Sequence, residues 1–299
     1  MKRYIIVLIV LCLWPPVTPC SQPGRLSIVS TGPGDPKYLT LQAIEYIRAA
    51  DLILGQPDEI GKVRKYLHDK KVETPEQWER LWTHNGKSWV DELETFKPEE
   101  RLFIIEQKYR ERDKYVGELK RKLDQGKNIV ILDGGDPTVF SRFFFWLLEG
   151  LPDDQVEIVP GVGAIGASFA ALKKASTGAN ARFVIQSASR EFIDRKDSDA
   201  LAKDLSKYAG TLVFYMALEK MNELVAALKK FNAGNLPAAV VYYAGYQGKQ
   251  KIIKGTLDTI LDLAAPEEEK WMGLVIVGRC LTGPSFLSPI ETGSKGVVK

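Results

Sequence analysis

Three short segments of this chain set glycine, proline and aspartate at the ends of apolar runs. Leu26-Ser27-Ile28-Val29 leads into Gly32-Pro33-Gly34-Asp35-Pro36, and Asn128-Ile129-Val130-Ile131-Leu132 leads into Asp133-Gly134-Gly135-Asp136-Pro137. Val156-Glu157-Ile158-Val159 leads into Pro160-Gly161-Val162-Gly163. Short apolar runs bounded in this way read as strands that end in sharp turns. In α/β folds a ligand sits beyond the carboxyl ends of the strands. Glycine there lets main-chain N–H and C=O groups approach the ligand, and proline fixes the loop. One such turn is an ordinary connection; three point to a site built from backbone, one that holds and orients a small molecule. Other chemistries lack their residues. No Gly-Lys-Ser/Thr loop follows a glycine-rich strand end, no G-x-G-x-x-G is paired with an acidic residue about 20 positions on, and no G-x-S-x-G is present. Two histidines and three unpaired cysteines argue against a structural zinc site, and no metal is expected. Cys280, at the end of an apolar run, reads as a small buried hydrophobe.

The elements that must position these turns follow from periodicity. Thr40 predicts a helix N-cap, with Leu41, Ile44 and Ile47 on one face, and the next strand is Asp51–Leu54. Strand, turn, helix and strand in that order predict parallel strands joined by a right-handed crossover. Residues 57–101 are highly charged and carry Trp78, Trp82 and Trp89, the first two one helical turn apart. They read as a helix face packed on the core or, alternatively, as an aromatic wall or lid over a flat ligand. A mixed-charge helix is expected near 109–125, an aromatic-rich helix over 139–148 and a small-residue helix over 164–175. Beyond a change of domain near 177–180, strands are expected at 182–187, 211–216, 238–243, 251–256 and 273–279, with helices near 197–207 and 219–231. The alternation predicts an α/β chain with two sheets: a first domain over 25–178 with an insertion at 57–101, a second over 179–284, and a loose tail over 285–299.

Composition sets the outer bounds. The 299 residues carry 41 Lys and Arg against 38 Asp and Glu, a formal charge of +3, and 45% are hydrophobic. That is ample for a core and excludes a disordered chain. A multi-span membrane protein is excluded because no run of about 20 apolar residues exists. A charge of +3 without a concentrated basic face leaves no footprint for nucleic acid. The first residues stand apart. Lys2 and Arg3 precede an apolar run from Tyr4 to Trp14, then Pro15 and Pro16, and Cys20 follows Val17-Thr18-Pro19. This pattern over 1–24 resembles an export signal, with Cys20 at a bacterial lipoprotein-like cleavage position. The chain is therefore expected in the periplasm or cell envelope, exported or membrane-anchored, or in the cytoplasm if the segment stays unprocessed.

The ordered set of motifs resembles the tetrapyrrole methylase family, which includes uroporphyrinogen-III and precorrin C-methyltransferases. The matching blocks are Ser30-Thr31-Gly32-Pro33-Gly34-Asp35-Pro36 with Tyr38-Leu39-Thr40-Leu41 and Ala49-Ala50-Asp51, then Gly134 to Arg142, then Val159 to Ala164. Thr211 to Met216, Ala238 to Gly245 with Gln250 and Gly255-Thr256-Leu257, and Gly273 to Gly278 follow in family order, so the likeness spans about 26–280. The resemblance implies two α/β domains with a ligand cleft between them, S-adenosylmethionine bound there, and methylation of a tetrapyrrole-like small molecule. It implies that Pro33 borders the cofactor, and that Gly134, Gly135 and Asp136 hold its amino-acid end through backbone groups, with Val139 beside it. Gly163 and Ala164 would contact it again, and Met216 and Gly245 would frame the adenine. Asp35 becomes the candidate for catalytic proton handling, or else a turn-stabilising aspartate. Arg142 becomes the candidate anchor for substrate carboxylates, or else one half of an internal ion pair. Family members are often dimers, so self-association is expected too.

The substrate side departs from the family pattern. Gly55-Gln56-Pro57-Asp58 stands where a tyrosine-aspartate-basic-leucine stretch is usual, Ser141 and Phe143 replace glycines around the loop arginine, and Gly163 replaces a threonine or serine. The methyl donor is made in the cytosol, which an exported chain would leave behind. Two alternatives stay open: an exported relative that binds a tetrapyrrole or other small ligand without methylating it, and a methylase of a non-tetrapyrrole substrate.

Overall fold

The computed structural model describes residues 23–178 and 181–282. The export-signal pattern with Cys20 lies outside the described residues, as does the expected tail.

The first domain runs β1 (Leu26–Ser30), α1 (Leu41–Ala49), β2 (Leu52–Leu54), α2 (Pro57–Val63), β3 (Lys71–Glu73), α3 (Gln77–Trp82), a small hairpin of β4 (Thr83–His84) and β5 (Lys87–Ser88), α4 (Pro98–Asp124), β6 (Ile129–Asp133), α5 (Pro137–Phe140), α6 (Arg142–Leu148), β7 (Val156–Val159) and α7 (Ala164–Leu172). Its five-stranded sheet has the order β3-β2-β6-β1-β7 and is parallel throughout. The side chains alternate as a two-sided parallel sheet requires. Leu26 and Ile28 join one core with Leu123, Trp78 and Trp146; Val29 joins the other with Ala43, Ile47 and Val130. From β1 the chain leaves toward β2 on one side, and from β6 toward β7 on the other. The neighbouring ends of β1 and β6 are thus the point where strand order reverses, and a crevice opens there.

The second domain runs β8 (Phe183–Ala188), α8 (Ser189–Ile193), α9 (Ser198–Ser206), β9 (Gly210–Tyr215), α10 (Met221–Lys229), β10 (Pro237–Tyr242), β11 (Lys251–Thr256), α11 (Ile260–Ala264) and β12 (Gly273–Gly278). Its sheet order is β11-β10-β12-β9-β8, with only β8 and β9 parallel. Helix α10 covers one face; Phe169 and Leu172 of α7 pack on the other with Val213, Ala239 and Ile276. Helix α7 therefore ties the two domains together.

Several expectations need correction. Thr40 caps α1, its hydroxyl accepting from the Ala43 N–H at 3.0 Å. The buried face is Ala43, Ile47 and Ala50, however, and Leu41 is 80% exposed. Side chains in the first turn of a helix lie over residues that precede it, and here nothing covers Leu41. The segment 57–101 is not a single insertion: β3 pairs with β2 as the sheet's edge, so only the part from α3 to the start of α4 stands outside the sheet layer. Helix α4 begins at Pro98, well before residue 109, because Pro98 sits in the first turn and Glu100 reaches back to the Lys97 N–H. The expected helix 139–148 is two helices broken at Ser141, whose backbone is non-helical.

Candidate functional site

At the reversal point the first two glycine turns are joined. The Gly135 N–H donates to the Gly32 carbonyl at 2.8 Å, and the Ser30 hydroxyl donates to the Gly135 carbonyl. Gly135 has φ of +71°, a region that a side-chain-bearing residue enters only at a cost. A Cβ built on it meets no atom within 4 Å, so the space above the turn is open. The third turn closes in from β7: a Cβ on Gly163 would lie 3.1 Å from Asp136 Cβ. The second and third turns line a cavity of about 230 Å³ with Gly134, Gly135, Asp136, Val139, Gly163 and Ala164 in its wall. Six of the nine residues expected to hold a cofactor thus share one cradle. Asp136 accepts from the Thr138 N–H and hydroxyl at 2.9 and 2.7 Å, which stiffens the turn. Tyr215 from the second domain completes the wall, its ring 4.5 Å from that of Phe140. Burial, with the Asp136 charge, pushes the Tyr215 hydroxyl up to about 12, so it stays protonated.

The other three expected residues lie elsewhere. Met216 lines a second cavity in a left-handed conformation at φ +51°, its carbonyl accepting from the Ser189 hydroxyl at 2.6 Å. Pro33 and Gly245 face each other across the domain seam: a Cβ on Gly245 would sit 3.1 Å from Pro33 Cγ. Asp35 belongs to the same seam. Its N–H donates to the Gly245 carbonyl at 3.0 Å, and its carboxylate accepts from the Gln247 N–H at 2.8 Å with Lys37 at 3.7 Å. It lines neither cavity, and the geometry favours the turn-stabilising alternative over proton handling.

The second cavity is about 790 Å³ and shares Asp133, Phe140 and Ser141 with the first as a common wall. That volume is within the range of small-molecule sites. Its aromatic side is built from Trp78, Trp82 and Phe144, with Trp78 and Phe144 edge-to-face at 5.1 Å. Trp89 is buried in the first domain's core, Trp78 is buried there and also borders the cavity, and Trp82 is half-buried and lines it. The two readings of the tryptophans are thus divided between them. Arg142 also lines this space; its nearest partner is Glu191 at 4.0 Å, with both side chains more than half exposed. A contact so long and wet holds the guanidinium weakly. Arg190, by contrast, pairs with Asp91 at 3.2 Å, bridging the α3–α4 segment to the second domain.

Sequence reasoning missed Asp133, Phe140 and Tyr215. Asp133 ends β6 between the two cavities and accepts a hydrogen bond from the Ser141 hydroxyl. Burial lifts its carboxyl to about 6, the nearby Glu59 charge adding to this and Ser141 and Lys62 opposing it. Glu59 in turn is held by Lys62 at 2.9 Å and by the Thr31 hydroxyl. The signal was available: an acidic residue that closes an otherwise apolar strand, Ile129–Leu132.

Comparison with known proteins fits this geometry. A family model described as Tetrapyrrole (Corrin/Porphyrin) Methylases matches residues 25–261. The uroporphyrinogen-III C-methyltransferase of Bacillus subtilis (strain 168) is 28% identical over 263 residues, covering 85% of this chain and 90% of that one. Among solved structures, a cobalt precorrin-4 methyltransferase of cobalamin biosynthesis matches with a TM-score of 0.64 at 18% identity, over 87% of this chain and 96% of that one. The Thermus thermophilus uroporphyrin-III C-methyl transferase solved with S-adenosyl homocysteine matches with a TM-score of 0.56 at 21% identity, over 86% of this chain and 99% of that one. At these identities the solved structures speak to the fold.

Proposed function

The chain belongs to the tetrapyrrole methylase family, and from that premise we propose that it is an S-adenosylmethionine-dependent methyltransferase of a tetrapyrrole of the uroporphyrinogen or precorrin kind. The observation that carries this reading is the pair of adjoining cavities at the reversal point, one a glycine-lined cradle and the other aromatic and larger. The open space over Gly135 is the test of fit: it accepts a ligand held by main-chain groups, and a side chain there would fill it. The backbone of Gly134, Gly135 and Asp136 would hold the cofactor, with Val139, Gly163 and Ala164 packed beside it.

When bound, S-adenosylmethionine supplies an electrophilic methyl on a sulfonium and leaves as the neutral thioether. The protein's part is to orient and to exclude water. The common wall of Asp133, Phe140 and Ser141 would lie between the cofactor in the smaller cavity and the substrate in the larger one. Trp82 and Phe144 offer flat apolar surface to a macrocycle. Arg142 exchanges its weak contact with Glu191 for a substrate carboxylate, which a guanidinium binds bidentately. Pro33 and Gly245 support the cradle from behind through the seam, and Met216 borders the larger cavity beside it.

Calorimetric titration with S-adenosylhomocysteine tests the reading. Micromolar binding is expected, and Gly135→Leu is expected to abolish it while circular dichroism stays unchanged. A folded wild-type chain with no affinity for this ligand overturns the proposal. Placement in the cell is a separate part of it. The pattern of residues 1–24 supports an envelope location and membrane attachment, and the family resemblance alone supports self-association. Fractionation with intact mass of the N-terminus decides, and an unprocessed Met1 on a soluble cytosolic chain would sink that part.

A further inference from the structure

We infer that Asp133 is the catalytic carboxyl of this site, acting in its ionised form as the acceptor of the proton that the substrate ring releases. The inference rests on the methyltransferase reading and adds a residue that no family motif pointed to.

Position is the first argument. Among the described residues only Asp133, Phe140 and Ser141 line both cavities, and of these only Asp133 carries a titratable group. A methyl group passing from one cavity to the other passes this wall. The pyrrole carbon that gains the methyl attacks with the ring's π electrons as the sulfur–methyl bond breaks, and in a uroporphyrinogen it bears no hydrogen of its own. The ring system then gives up one proton, from a ring N–H or a bridge carbon, and that bond's electron pair restores a neutral ring. A base that faces the ring is therefore required. Asp35 does not qualify, because it faces the seam and is engaged with the Gln247 N–H. Asp136 is engaged with Thr138.

Charge is the second argument. Before transfer the positive charge lies on the sulfonium, and afterwards on the ring until the proton leaves. A carboxylate at the boundary faces the charge at both ends of its path, and a preorganised counter-charge in a water-poor wall is effective. The surroundings hold Asp133 ready for this role. From α2, Glu59 and Lys62 face it as a near-neutral ion pair. From the α5–α6 break the Ser141 hydroxyl donates to it. Across the larger cavity, Arg190 is matched by Asp91 and Arg142 by Glu191. Among the described residues no cation pairs closely with Asp133, so burial dominates and pushes its carboxyl up to about 6, where a general base is useful.

The test needs no turnover. S-adenosylmethionine carries the sulfonium charge and S-adenosylhomocysteine does not, so their affinity ratio reports a carboxylate beside the sulfur. In wild type the preference for the charged ligand should rise roughly tenfold between pH 5 and 7.5 as Asp133 ionises. In Asp133→Asn the ratio should be flat with pH while both ligands still bind. In Ser141→Ala the midpoint should move to higher pH, because the donor that favours the carboxylate is gone. With uroporphyrinogen III as probe, kcat should fall at least a hundredfold in Asp133→Asn, the usual scale for a lost general base. A wild-type ratio that is flat, or that rises equally in Asp133→Asn, overturns the inference and leaves the cofactor site standing. Failure of both ligands to bind the folded wild-type chain overturns the methyltransferase reading, and the inference falls with it.

Discussion

Asp133 and Gly135 stand two positions apart in one turn, yet each is set by a different physical constraint. At Asp133 the constraint is solvation. Its carboxyl is lifted from 3.8 to about 6, chiefly by burial. Between those values the folded chain binds more protons than the unfolded one, so this group's contribution to stability falls as pH rises. It is fully favourable below pH 3.8 and lost through pH 6. About two pKa units correspond to about 3 kcal/mol at most. Other carboxyls work in the opposite sense: Glu269 is pushed down to about 2 by the Tyr243 hydroxyl and backbone N–H groups. The clean measurement is thus a difference. The stability of Asp133→Asn minus that of wild type, by urea unfolding, should rise between pH 4 and pH 7.5. A pH-independent difference would mean that Asp133 is solvated. At Gly135 the constraint is the backbone, whose left-handed φ makes any larger residue strained and sends its side chain into the cradle. Gly135→Ala should therefore cost roughly 1–2 kcal/mol in stability and weaken S-adenosylhomocysteine binding less than Gly135→Leu does.

Helix α3 shows how one short element divides its residues between stability and binding. Trp78 is 3% exposed and donates through its indole N–H to the Tyr115 hydroxyl at 3.1 Å. Trp78→Ala should cost about 3–5 kcal/mol, the scale of a large cavity in a core. Trp82, one turn on, is half-buried against Phe143 and lines the larger cavity. Trp82→Ala should cost under about 1 kcal/mol in urea unfolding and weaken uroporphyrinogen III binding severalfold. Equal losses of stability in both variants would make α3 a purely structural helix. The sequence carries the helical spacing of these two residues but cannot say which side faces the core, because residues on both sides of the turn are aromatic. The strands were legible for the opposite reason. Apolar runs ending in Gly, Pro and Asp leave few choices, and β1, β6, β7 and the five strands of the second sheet fall within a residue or two of expectation. Edge strand β3 was not legible, since Lys71-Val72-Glu73 shows one apolar residue between two charges. The same holds for the site. The glycine cradle is a local property of two turns and was visible, whereas Asp133, Phe140 and Tyr215 acquire their roles only when two cavities and two domains meet around them.

At the scale of the whole molecule, the seam decides whether the two domains act as one. Loop 32–36 leaves the first sheet and inserts beside Gly245, and a Cβ on Gly34 would collide with Gly245 and Tyr246. Asp35 fastens this contact through its backbone N–H and its carboxylate. Phe140 against Tyr215 makes a second contact, and Asp91 with Arg190 a third on the cavity side. Because the loop's Gly32 carbonyl also accepts from the Gly135 N–H, loosening the seam should reach the cradle. This separates two roles for Asp35 that a single substitution would confuse. The Gln247 N–H needs only an acceptor oxygen, and the amide oxygen of asparagine supplies one. Asp35→Asn should then keep S-adenosylhomocysteine affinity and turnover within a few-fold of wild type. Asp35→Ala hands this exposed N–H to water, at a cost of about 0.5–1.5 kcal/mol. It should weaken binding and broaden the thermal transition as the two domains begin to unfold separately. If Asp35 took the substrate's proton instead, the asparagine variant would lose turnover at full cofactor affinity and with an unbroadened transition. The pair of variants, read by calorimetry and by rate together, therefore distinguishes a fastening carboxylate from a catalytic one, and it does so with the domains intact.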